Sequence, residues 1–378
     1  MRTRCLPWTM IVLLTAFVTG GRARAQDDGP QREPAKLQSV QRSIAVAGAM
    51  FPVLGRLESG KLAAVVRGGA PHVGVGGRLN LVTSEDGALT WSQPSLIVYM
   101  PPDTRDWAFG QAAEGRLIMA FCVTGAYRNG GHGFEAAQYR PWVTASDDDG
   151  AQWSNPAPLD CSPLQYSSLF GKIIALADGT VLLNGYGWYQ PEKEGEELPA
   201  DKQGMSNYVL RSTDNGKTWG DFAFIGGQGY NETALCALPD GTVLAVMRAD
   251  GLYQSLSSDG GRTWSKPAIL VEGARVPADV IVLASGKLLL TFGRRVEPFG
   301  VEAVLSGDEY GTWDWRTHRL IEWEAPNTDC GYPSSAQLDD GTIVTLYYKV
   351  TNDPATPGLA GHVQVWCARY RESDLAAP

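Results

Sequence analysis

From about residue 43 to residue 372 the chain alternates short apolar runs with turns rich in Gly, Asp and Ser. The runs have the length of strands, and no long amphipathic helical period interrupts them. Six of them follow one kind of tight turn: Ser59-Gly60-Lys61, Glu114-Gly115-Arg116, Asp178-Gly179-Thr180, Asp240-Gly241-Thr242, Ser285-Gly286-Lys287 and Asp340-Gly341-Thr342. Such turns beside apolar runs predict β-hairpins. A second pattern runs out of phase with the first. Ser, Asp and Trp recur at spacings of +0, +2 and +7 in Ser84 to Trp91, Ser146 to Trp153, Ser212 to Trp219, Ser257 to Trp264 and Ser306 to Trp313. Asp and Gly accept turn conformations, the carboxylate can cap backbone N–H groups, and the Trp can pack between neighbouring sheets. Copy one has Gly87 and Ala88 at +3 and +4, and copy five has Tyr310 at +4, so these two turns are expected to deviate.

Six turns alternating with five boxes define repeated units. Each unit reads as a four-stranded antiparallel blade, with the Gly turn joining strands one and two and the box joining strands three and four. The fold class is therefore all-β, a six-bladed β-propeller over residues 43–372. The sixth unit lacks a box; its outer part is expected over His362 to Tyr370, and a strand around Ser43 to Ala49 is expected to complete it. Ring closure of this kind leaves no open sheet edge. The acidic insert Pro191 to Asp201 reads as a solvent-facing loop.

Ahead of the propeller, Arg2 and Arg4, an apolar run from Met10 to Val18 and the small-residue stretch Ala23-Arg24-Ala25 read as a secretory signal over residues 1–25, cleaved after Ala25. Residues 26–42 read as a loose polar lead-in. The run is too short for a membrane span, so a secreted or periplasmic protein is expected. Losing the four arginines of the signal takes the formal net charge from −9 to −13. So acidic a surface argues against nucleic acid and anionic membranes as partners. Five cysteines remain in the mature chain, none with CxxC spacing, and the four histidines lie far apart. They are expected as buried thiols or at most one or two disulfides. No motif demands a cofactor or a metal.

Because strands alternate in direction, both repeated turns lie on one face of the disc. The segments starting each first strand and leaving each second strand lie on the other face, near the axis, where a concave site fits. Those segments carry Arg67 and His72 from blade one, Arg105 and Asp106 from blade two, and Glu232 and Arg248 from blade four. Asp279, Arg294 and Arg295 come from blade five and Tyr332 from blade six. Guanidinium groups bind carboxylates in a bidentate fork. Arginines converging on one mouth of an acidic protein point to an anionic ligand, carboxylate or sulfate.

The Ser-x-Asp boxes resemble the Asp box of sialidase-type propellers, where the box is structural. Asn231-Glu232, followed by Asp240-Gly241 and Val246-Met247-Arg248, is similar to the sialidase segment that carries the catalytic glutamate and a substrate-binding arginine. Gly331-Tyr332-Pro333-Ser334-Ser335, leading to Asp340-Gly341-Thr342, is similar to the segment with the nucleophilic tyrosine. The resemblance spans roughly residues 45 to 370. It implies an exo-acting glycoside hydrolase of a terminal anionic sugar, most simply α-sialic acid, with a glycan or sialoside as partner. It implies Tyr332 as nucleophile, Glu232 as its base and Arg248 as an anion ligand, with retention through a tyrosyl-linked intermediate. Arg67, Arg105, Arg294, Arg295 and Asp279 complete the candidate substrate contacts. Blade one departs from the family. The stretch Ala49-Met50-Phe51-Pro52-Val53-Leu54 lacks the family's arginine, and Arg67 to Thr83 contains no Asp or Glu. The acid/base is then His72, whose imidazole exchanges protons near neutrality, or an acid from another blade, Asp106 by position and Asp279 next. These departures leave two alternatives open, a uronate- or sulfate-bearing glycan as substrate and a non-catalytic carbohydrate-binding propeller.

Overall fold

The computed structural model describes residue 29 and residues 33–124, 127–128, 131–132, 139–189, 197–273, 275–351 and 358–376. The expected secretory signal lies outside the described residues. Six antiparallel sheets follow the units read from the turns. Blade one is built from Ala49–Arg56, Leu62–Gly68, Arg78–Ser84 and Ser95–Val98; blade four, equally regular, runs from Thr233–Ala237 to Ala268–Val271. In blade three the first strand is broken. Tyr166–Leu169 and Ile174–Ala175 pair with the second strand, while Gly171–Lys172 between them pairs in parallel with Ala108 and Phe109 of blade two. No described helix is long and apolar enough to cross a membrane.

The glycines of the six repeated turns have φ between 74° and 87°, the left-handed region that glycine enters without strain. The boxes cap the opposite pair of strands. In copy one Asp86 accepts from the backbone of Leu89 and Thr90 and from the Thr90 hydroxyl, while the Ser84 hydroxyl accepts from Ala88 N–H. The Thr90 hydroxyl and backbone N–H bonds lead in holding the Asp86 carboxyl down at about 2. Copies three and four repeat this pattern through Asp214 and Asp259. Copy one therefore keeps the cap, with Ala88 accepting φ 67° in place of a glycine. Copy five departs as expected: Ser306 turns its hydroxyl to Leu288 N–H of the neighbouring strand.

Each box Trp seals one seam between blades. Trp91 packs with Val344 and Leu346 of blade six, Trp153 with Leu79 and Leu81 of blade one, and Trp219 with Ile118 and Ala120 of blade two. Trp264 and Trp313 do the same against blades three and four. The remaining seam, between blades five and six, has no box Trp because blade six has no box. There the apolar fill comes from Leu37 and Leu375 beside Leu289, Ile343 and Tyr347. From Glu33 onward the lead-in is thus more structured than its polarity suggests. Ala35–Lys36 adds in parallel to the outer strand of blade five, and the closing strand begins at Gln41, two residues earlier than expected.

That closing strand, Gln41–Ala47, pairs with Val363–Arg371 and completes blade six. A buried carboxylate ties it to both neighbours. Glu322, at the end of blade five and fully buried, accepts from Arg42 at 2.9 Å, Lys349 at 2.8 Å and Tyr347 at 2.7 Å. Backbone N–H groups of Trp323 and Glu324 add to these. Burial works to raise this carboxyl, but Lys349, Tyr347 and the backbone donors outweigh it and hold it below its ordinary value of 4.5. A depressed carboxyl contributes stability above its ordinary value and loses it as pH falls through the lowered one. Glu322→Gln, which leaves the buried Lys349 without its counter-charge and the part-buried Arg42 with only Glu324, should cost roughly 3–5 kcal/mol in urea unfolding at pH 7. The variant should also lose less stability than the wild type on acidification below pH 4.5.

Candidate active site

The site lies at the axis on the face opposite the repeated turns. The first strands of three blades each carry a bulge as they start. Their pairing with the second strands slips between Met50 and Val53, between Arg105 and Trp107, and between Gly331 and Ser334. At each slip one non-glycine residue takes positive φ: Phe51 at 52°, Asp106 at 47° and Tyr332 at 53°. A bulge re-aims a side chain that a regular strand would send into the neighbouring sheet. Side chains held at such angles carry strain that the surrounding sheet must sustain. All three line one cavity of about 320 Å3.

At its floor the Tyr332 hydroxyl donates to Glu232 Oε1 at 2.6 Å, across 100 residues of sequence. Arg248 Nη1 donates to the other oxygen of Glu232 at 2.7 Å and lies 3.5 Å from the Tyr332 oxygen. Burial first, and the Glu232 charge second, push the Tyr332 phenol well above its ordinary value of 10, against Arg248 and Arg295. The resting tyrosine is therefore a neutral phenol beside a carboxylate able to take its proton. Arg295 reaches the same wall, its guanidinium 6.0 Å from the Tyr332 ring centre. Its Nε is buried and has no hydrogen-bond partner among the described residues.

The walls are aromatic: Phe51, Trp107, Tyr139, Phe170, Tyr186 and Trp188. On one side His72 faces the cavity, its Nδ1 2.9 Å from Asp329 Oδ1. On another, Asp106 pairs with Arg105 Nε at 3.0 Å and accepts from the Ser168 hydroxyl at 2.7 Å. Arg105 also donates to Tyr127 at 2.7 Å, so its fork is largely committed. Among the described residues no cluster of His, Cys, Asp and Glu is arranged to hold a metal ion. The five described cysteines are buried free thiols, none in this cavity.

Seven of the ten candidate residues thus meet here: Tyr332, Glu232, His72, Asp106, Arg248, Arg105 and Arg295. The other three do not reach the cavity. Arg67 is 1% exposed and spends its guanidinium on Asp103 at 2.7 Å and on the carbonyls of Pro71 and Gly74, shaping the loop that carries His72. Gly77 makes room for that pair, since a Cβ there would lie 2.0 Å from Asp103. Arg294 is consumed by Glu302, Glu33 and the carbonyls of Glu297 and Pro298. Asp279 sits deeper on the axis, accepting from Lys172 at 2.8 Å and from Ser335 N–H at 2.7 Å. These groups hold segments in place instead of facing a ligand. Sequence reasoning missed Asp329, Ser168, Phe170 and Trp188, although Asp329 sits three residues before Tyr332, just ahead of the segment from Gly331 to Ser335.

A six-bladed disc with this axial site defines a sialidase-like propeller. The chain belongs to the BNR repeat-like domain family, whose model matches residues 108–345. Among solved structures it is similar to a protein of unknown function from Dyadobacter fermentans, with 21% identity and a TM-score of 0.72 over 88% of this chain and 99% of that one. It is also similar to the NanB sialidase from Streptococcus pneumoniae, with 16% identity and a TM-score of 0.65 over 88% and 70% of the two chains. The intramolecular trans-sialidase from Ruminococcus gnavus matches with 16% identity and a TM-score of 0.63 over 87% and 96%. At these identities the likeness establishes the fold.

The placements separate two kinds of arginine. Arg67→Ala strands the fully buried Asp103 and should lower stability by about 3–5 kcal/mol. Arg295→Ala breaks no ion pair and should cost about 1 kcal/mol or less. Chemical denaturation of both variants checks the contrast.

Proposed function

We propose that this chain is an exo-acting glycoside hydrolase of the sialidase type, cleaving a terminal anionic sugar with retention. One observation carries the reading: the Tyr332 hydroxyl and Glu232 carboxylate 2.6 Å apart at the floor of an aromatic-walled cavity. A phenol of high pKa is a weak nucleophile until a base removes its proton as attack proceeds. Glu232 is placed to do so, and Arg248 beside both stabilises the charge passing between them. The cavity lies at the small end of the roughly 300–1,000 Å3 range of ligand pockets, a size that suits one terminal sugar. The aromatic faces suit its C–H surfaces. Arg295 and the open side of Arg248 suit a carboxylate or sulfate. The sialidase and trans-sialidase among the similar structures support α-sialic acid as the simplest substrate.

A second reading keeps the scaffold and chemistry but changes the sugar to a uronate or a sulfated residue. It is favoured by the stretch Ala49 to Leu54, which gives the cavity wall Phe51 and no arginine. We further propose that the protein is exported, so that it meets glycans outside the cytoplasm; N-terminal sequencing of the mature protein should then begin at Gln26.

Turnover of sialosides, uronides and sulfated glycosides, assayed side by side, separates the two sugar classes. On the best substrate Tyr332→Phe and Glu232→Gln should each reduce kcat by about 10²-fold or more. NMR of the first-formed product should show a retained anomeric configuration. Full activity of Tyr332→Phe rejects the nucleophile assignment. Glycan binding with no turnover of any class would leave a carbohydrate-binding propeller.

A further inference from the structure

The cavity holds two groups able to carry a proton to the leaving oxygen, and their surroundings differ. Asp106 already accepts from the Arg105 guanidinium and the Ser168 hydroxyl, which fixes its oxygens as acceptors. His72 lies in a stretch of blade one, Arg67 to Thr83, that has no acid of its own, and a different blade supplies its partner. Asp329, just ahead of the first strand of blade six, lies 2.9 Å from His72 Nδ1. The same oxygen of Asp329 accepts from Tyr348 at 2.5 Å, and the Asn327 side chain accepts from Asp329 N–H at 2.8 Å. One carboxylate oxygen is therefore held by two side chains, and the Asp329 backbone by a third. Phe51 packs edge-on against His72 at 4.9 Å and Tyr332 at 4.8 Å, so the imidazole and the phenol both contact one ring.

We propose that Asp329 is a positioning residue that holds His72 with Nδ1 toward blade six and Nε2 toward the sugar, making His72 the proton donor of the reaction. The inference rests on the hydrolase reading above. In the first step Tyr332 oxygen bonds the anomeric carbon as the glycosidic C–O bond breaks. The phenol proton passes to Glu232, and the leaving oxygen takes the proton of His72 Nε2. In the second step water gives one proton to His72 Nε2 while its oxygen replaces Tyr332, which recovers its proton from Glu232. Asp329 stays ionised throughout and stabilises the imidazolium. Burial opposes its charge, but the His72 contact, the Tyr348 hydroxyl and the nearby Arg295 outweigh it and hold its carboxyl below the ordinary value. Among the described residues Arg105 also approaches this segment, donating to the His72 carbonyl at 3.4 Å.

Asp329→Asn keeps the size of the side chain and removes its charge. Three readouts are expected. The kcat/KM for unactivated glycosides falls roughly 10²- to 10⁴-fold, the contribution of a general acid. The alkaline limb of the kcat/KM profile moves to lower pH by about 1 unit, because an imidazolium without its carboxylate releases its proton more readily. The NMR titration of the His72 ring moves the same way. His72→Ala should lose far less on aryl glycosides with good leaving groups than on alkyl glycosides. An Asp329→Asn enzyme with an unmoved alkaline limb and an unmoved His72 titration overturns the proposal. So does leaving-group dependence that appears in Asp106→Asn and not in His72→Ala. If wild type turns over no glycoside, the hydrolase reading fails by itself. The His72 titration then decides the pair alone, and an unmoved signal refutes it.

Discussion

Everything at the axis depends on closing the ring. The cavity takes one segment from each of several blades, so its geometry is only as fixed as the angular position of every blade. Five seams are held by the Trp of a box lodged against the preceding blade. The sixth is held by strand Gln41–Ala47, by Leu37 and Leu375, and by the Glu322 carboxylate, which joins Arg42, Lys349 and Tyr347. A buried carboxylate with that many donors is directional in a way that apolar packing is not. It sits on the seam between blades five and six, the two blades that carry Arg295 and Tyr332. The contact of Tyr332 with Glu232 spans 100 residues and is possible only in the closed disc.

Closure places the segments, and local strain aims them. A regular first strand alternates its side chains between the two neighbouring seams. None of them would point along the axis into the cavity mouth. The bulges at Phe51, Asp106 and Tyr332 break that alternation, each at one positive φ. The rest of each first strand remains fully paired and can sustain the cost. Three of the strained non-glycine positions therefore sit at the cavity, in three blades, while those in the boxes and turns serve the turns and Asp221, at φ 46°, lies in an outer strand of blade three.

The architecture was legible because turns and boxes are local: their conformational demands are met by the residues that spell them. The pairing of Tyr332 with Glu232 was legible for a related reason, since each lies a fixed distance before its blade's Gly turn. The fate of the arginines was not. Arg294 and Arg295 are adjacent and chemically equivalent, yet strand alternation turns one into Glu302 and Glu33 and the other onto Tyr332. Arg67 reads as a ligand residue until Asp103 of the next blade appears beside it. Asp279 finds Lys172 from two blades away, in the strand break of blade three. Asp329 escaped notice because its partner, His72, lies 257 residues earlier. Partners contributed by other blades carry no sequence spacing to read.

Charge pairing inside the cavity also narrows what it can hold. Arg105 is matched by Asp106 and Arg248 by Glu232, while His72 leans on Asp329. Arg295 has no carboxylate within ion-pair distance among the described residues, and its Nε is buried without a partner. A guanidinium whose Nε is buried without a partner favours a polar or anionic group beside it. The chain as a whole carries a formal −9, so this guanidinium runs against the surrounding field. A neutral sugar would leave it without an ion partner. A sugar with one anionic group would answer it, set against the same wall as the tyrosine. On the proposed reading, the missing arginine of blade one reduces the number of groups that grip the anion without changing its sign. It is the grip, more than the charge, that distinguishes one anionic sugar from another.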